Sequence, residues 1–127
     1  MLEETINNLI NTKRKRILQK MQKRIEEMSP EWWSQKWAKT FEMMYYYQDK
    51  PDHEVRHKVA VLQMERLSDI YEGYKKIVQN AENDLSFDID NALQTLKNKV
   101  ALYDEELAKW RKQLGHYEGS EKYLMRE

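Results

Sequence analysis

The sequence predicts an all-α protein, an antiparallel helical bundle of three to four helices with a basic N-terminal helical arm. Three observations carry this. Between Ile89 and Leu114 the apolar residues Ile89, Leu93, Leu96, Val100, Tyr103, Leu107, Trp110 and Leu114 are separated by alternating steps of four and three. That is an unbroken seven-residue repeat, the mark of a helix showing one narrow apolar seam to partner helices. Gly is 3 and Pro is 2, too few for the turns of an all-β fold. Apolar residues make up 40% and charged residues 35%, which suits narrow seams and wide solvated faces.

Residues 2–10 carry Leu2, Ile6, Leu9 and Ile10, one or two amphipathic turns. Asn11 and Thr12 can cap a new helix, and Lys13 and Arg14 fall where the apolar stripe should continue, so a break or bend is expected there. From Lys13 to Met28, Ile17, Met21, Ile25 and Met28 form one helical stripe. Burial gives no reason for Arg14 to lie on its apolar side.

Ser29-Pro30-Glu31 starts a second helix with a capping residue, a proline at the first helical position and an acid in the first turn. Trp33, Trp37, Phe41 and Tyr45 make its stripe, and aromatics at this spacing are expected in a core. Pro51 ends it near Gln48. Asp52 is the expected cap of a third helix, over 52–81, which carries two apolar stripes and so a wide buried face. Gly73 in its middle is either a weak point or a point of close packing. Residues 84–88 read as a loop, so the third helix and the last one, 88–114, pair antiparallel. Gly115 is the expected terminal cap.

By composition the chain divides into a basic arm (1–29), a bundle (30–115) and a tail (116–127). The net charge is zero, but residues 1–29 hold seven Lys/Arg against four Glu. No apolar run approaches the length of a membrane span, and Glu3, Glu4, Asn7 and Asn8 occupy the place of a signal-peptide core. The expected location is therefore intracellular or in a virion, neither secreted nor membrane. With no Cys, disulfides and thiolate metal sites are excluded.

His53-Glu54-Val55-Arg56-His57 matches the HExxH pattern of zinc peptidases. It sits at a helix start, holds a cation and has no third ligand at a known spacing. Glu54 and His57 also fit half of a di-iron motif, which needs a second copy. No nucleophile constellation, phosphate loop or carboxylate pair is present, so the reading is non-enzymatic, without cofactor or metal.

Lys13, Arg14, Lys15, Arg16, Lys20, Lys23 and Arg24 are the candidate nucleic-acid contacts, with duplex DNA favoured. Lys13, Arg16, Lys20, Lys23 and Arg24 gather in one arc of about 100°, suited to a phosphate backbone. Trp32, Tyr46 and Tyr47 fall off the aromatic stripe and are candidate contacts to another subunit or partner. In outline the layout resembles the coat proteins of filamentous archaeal viruses, in which N-terminal helices embrace DNA and a C-terminal helical bundle faces outward. The resemblance implies a self-assembling capsid subunit, with the seven basic residues above as phosphate contacts. The rival reading is a small protein–protein interaction module, such as a phage or bacterial inhibitor, using its aromatic helix face without nucleic acid.

Overall fold

The computed structural model describes residues 2–46 and 48–115; Tyr47 and the tail 116–127 lie outside the described residues. Four helices follow one another: α1 (Leu2–Glu27), α2 (Pro30–Tyr46), α3 (His53–Asn83) and α4 (Ile89–Leu114). No strand occurs among the described residues. The fold is the all-α helical bundle expected from the heptads and the shortage of turn residues.

The antiparallel pair α3–α4 is its backbone. Of the α4 seam, Ile89, Leu107 and Leu114 are buried and the other five members are half-buried. Two apolar clusters hold the two ends of the pair. At the open end Val59 and Leu62 meet Leu107 and Leu114, flanked by Val55, Tyr103 and Trp110. At the loop end Ile77, Val78 and Ala81 meet Ile89. Between them a Cβ on Gly73 would come within 2.8 Å of both Leu96 methyls, so Gly73 is a point of close packing. Tyr103 donates its hydroxyl to Asp69 at 2.6 Å, which ties the middle of α4 to α3.

The connecting loop is built by local polar bonds. Asp84 Oδ1 accepts from Ser86 N and Ser86 Oγ, an Asx-type turn. The Ser86 hydroxyl first and the Ser86 amide second, with a smaller contribution from Arg14, hold the Asp84 carboxyl below the ordinary carboxylate range. Asp88 then caps α4 by accepting from Asn91 N at 3.0 Å.

α1 departs from expectation in being unbroken. Thr12 does not cap; its hydroxyl bonds back to the Asn8 carbonyl at 2.8 Å inside a continuous helix. The C-terminal half of α1 belongs to the bundle, because Met21 completes the loop-end cluster with Ile17, Leu18 and Ile25 packed beside it, and Met28 is buried too. Arg14 explains itself in the same place. Its guanidinium donates to Phe87 O (2.7 Å), Ala81 O (3.1 Å) and Asp84 O (3.0 Å). Ala81 lies in the last turn of α3, Asp84 is its cap and Phe87 belongs to the loop, so the cation satisfies a carbonyl that the helix leaves orphaned, meets the negative end of its dipole and ties down the loop.

α2 starts as predicted, with Trp32 N donating to Ser29 Oγ at 3.2 Å. It is the least embedded helix, with no buried residue among those described. Trp33 packs edge-on against Tyr71 of α3 at 5.8 Å, and Trp37 stacks on Phe41 at 5.5 Å. At the start of α3, Asp52 does not cap with its side chain. It forms a buried ion pair with Arg56 one turn on, while the Arg56 amide bonds to the Asp52 carbonyl. Gly115 follows α4 in an ordinary right-handed conformation (φ −60°, ψ −17°), so the cap does not use a glycine's freedom.

Candidate nucleic-acid interface

Because α1 is continuous, its two halves share one register. Its outward face reads Leu2, Ile6, Leu9, Lys13, Arg16, Lys20, Lys23 and Glu27, in alternating steps of four and three. All eight are exposed. Ile17, Met21, Ile25 and Met28 occupy the inward face with Arg14. The outward seam is therefore apolar over its first turns and cationic over the next ones. At 1.5 Å per residue the cationic part, Lys13 to Lys23, is about 15 Å long.

The seven basic candidates separate by geometry. Lys13, Arg16, Lys20 and Lys23 lie together on the outward seam and make no ion pair among the described residues. Arg24 flanks them and pairs with Glu27 at 3.3 Å, an exposed contact of little energetic weight. Lys15 is exposed, but two residues from Lys13 it points about 200° away and belongs to another flank. Arg14 is turned inward onto three carbonyls, so its guanidinium holds the fold and the expected phosphate contact is not available in this arrangement.

Reading the residues missed that Leu2, Ile6 and Leu9 are in phase with the cations. Their exposures of 75%, 47% and 66% mark an apolar stripe with no cover among the described residues. The seven-residue step was present as a signal, but the break expected at Asn11-Thr12 cut it in two.

The aromatic candidates also sort differently. Trp32 is half-buried, lies edge-on to Trp33 at 4.9 Å and carries Lys36 Nζ 5.9 Å above its ring. It is thus engaged within its own chain. Tyr46 is exposed at 70%, and Tyr47 lies outside the described residues. Phe41 and Tyr45, expected in a core, are exposed at 55% and 74%. α2 has no buried residue among those described, and its stripe is half-covered at Trp33 and Trp37 but open at Phe41 and Tyr45.

His53 and His57 stack with ring centroids 6.4 Å apart. No group of three or more metal-ligating side chains forms among the described residues, and the Arg56 between the histidines is taken by its pair with Asp52. No helix among the described residues is long and apolar enough to cross a membrane. No family model, curated protein or solved structure matches the chain.

Proposed function

We propose that this protein is a non-enzymatic, nucleic-acid-binding structural subunit that coats or packages its nucleic acid. Lys13, Arg16, Lys20 and Lys23 contact backbone phosphates, flanked by Arg24, and the apolar turns at Leu2, Ile6 and Leu9 meet a second copy of the chain. The observation that carries this reading is the single outward seam of α1, apolar and then cationic. Unpaired cations in a row release counterions when they neutralise phosphates. An apolar stripe beside them gains by being covered, and a helix end without tertiary packing is marginal in water.

Binding of labelled duplex DNA and RNA across a salt series tests this, with particle size followed in the same samples. Four neutralised phosphates give a slope of log K against log salt of about −3.6 on B-DNA. A variant with Gln at Lys13, Arg16, Lys20 and Lys23 should lose most binding at low salt. A variant with Glu at Ile6 and Leu9 should bind without growing in size. If the wild type binds neither nucleic acid at low salt, the reading fails. A second reading, a protein-interaction module, is favoured by the exposed Phe41 and Tyr45 on weakly embedded α2. It predicts a heteromeric partner whose affinity falls at least tenfold on Phe41→Ala and is indifferent to the α1 cations.

A further inference from the structure

The apolar stripe Leu2-Ile6-Leu9 has a counterpart elsewhere on the chain. α1, α2 and α4 each pack on α3 and little on one another, which leaves surface open along α3 and α4. Midway along that pair lies a groove of about 270 Å³. Ile70 and Tyr74 of α3 and Leu93, Leu96 and Val100 of α4 line it, all of them half-buried. The steps between the three α4 residues are three and four, so they span about 10 Å. Leu2, Ile6 and Leu9 span the same length, and read from Leu9 back to Leu2 their steps are also three and four. A helix laid antiparallel to α4 therefore brings Leu9, Ile6 and Leu2 level with Leu93, Leu96 and Val100. Anchors at such spacing are how an amphipathic helix seats in an apolar groove. The same alignment sets Glu3, exposed at the edge of the stripe, within one turn of the exposed Lys97 in the groove lining. Neither makes an ion pair among the described residues. The other charged residues of the lining, Arg66 and Asp104, are bonded to each other at 2.8 Å.

We propose that this groove is the acceptor for the N-terminal turns of α1 from a second copy of the chain. The proposal rests on the self-contact in the function proposed above and names its other side. A chain cannot fill its own groove. Arg14 pins α1 at the 84–88 loop, and Trp33, beyond the end of α1, meets Tyr71 further back on α3. Residues 2–13 thus lead past the loop end of the bundle, and a continuous helix does not double back. Donor and acceptor are different surfaces of one chain, so every copy can give an arm and take one. Such a contact is heterologous and, unless it closes on itself, extends as a chain of copies.

The test is photo-crosslinking of the full chain carrying p-benzoylphenylalanine in place of Ile6. An equal mixture of isotopically light and heavy chains separates contacts between copies from contacts within one. The expected result is attachment between copies at Tyr74, Leu96 or Val100. Ala101→Glu places a charge in the groove at an exposed position, where the fold tolerates it, and should lower the yield about tenfold or more. Leu102→Glu, at the exposed residue beside it but outside the groove lining, should leave the yield unchanged. Glu3→Lys should lower the yield about threefold, and Lys97→Glu in the same chain should restore it. Attachment between copies at another α1, or anywhere else outside the groove, overturns the proposal and leaves the self-contact standing. Indifference to Ala101→Glu, an equal loss on Leu102→Glu or a further loss on the charge swap does the same. Absence of any attachment between copies overturns both the groove and the self-contact.

Discussion

The two halves of α1 are a controlled comparison, because one unbroken helix carries both and only their surroundings differ. Residues 14–27 lay Ile17, Met21 and Ile25 on the loop-end cluster of α3 and α4, with Met28 buried just beyond them, and Arg14 fastens them there. Residues 2–13 are exposed wherever their side chains are described. The most regular apolar stripe of the first half, Leu2-Ile6-Leu9, is in phase with the cations of the second half and not with its core face. A helix therefore does not bury a stripe because it is apolar. It buries the stripe that faces a neighbour, and the remaining apolar surface is left for other partners.

Substitutions sharpen this contrast. The largest effects belong to the α3–α4 clamp: Leu114→Ala or Leu107→Ala should cost about 2–5 kcal/mol of unfolding free energy in denaturant titration. Leu9→Ala, the same chemical change on the free half of α1, should cost less than about 0.5 kcal/mol in the monomer while reducing association. Equal losses at the two sites would mean that the first half of α1 is also packed. Arg14→Gln should cost about 2–3 kcal/mol, since it withdraws charge-assisted bonds from three carbonyls. Lys13→Gln, next to it, should leave the melting temperature unchanged and weaken DNA binding. If the two variants behave alike, Arg14 is not the fastening.

A smaller effect tests the α3–α4 pair through pH. The hydrogen bond to Asp69 first, with burial and the charge of Asp69 behind it, pushes the Tyr103 hydroxyl up to about 12. The raised value favours the neutral phenol in the folded state. Its stabilisation is thus complete below the unfolded value near 10 and is lost as pH rises through about 12. Tyr103→Phe should cost about 1–2 kcal/mol at neutral pH and flatten the fall in stability over that window, read by chemical denaturation at several pH values. Smallest of all, Gln at Lys13, Arg16, Lys20 and Lys23 together should alter stability by less than about 0.5 kcal/mol. A large loss there would assign the cations to the fold and not to an outside anion.

The alternation of four and three from Ile89 to Leu114, the Ser29-Pro30 start and the short 84–88 loop were enough to determine an all-α bundle and the antiparallel pairing of its last two helices. These signals are local, since periodicity and capping act within a few turns of one helix. What lay beyond them needed the third dimension. The Arg14 guanidinium reaches carbonyls about 70 residues away, so its inward turn is invisible to any local pattern. α1 runs unbroken through Thr12, whose hydroxyl bonds backward where it was expected to cap. Lys36 of α2, Arg66 of α3 and Arg111 of α4 line one cleft, and no spacing along the chain connects them. Residue types and their period set which helices form, because those depend on neighbours in sequence. Which face of each is covered, and which charges are spent on the fold, depend on neighbours in space.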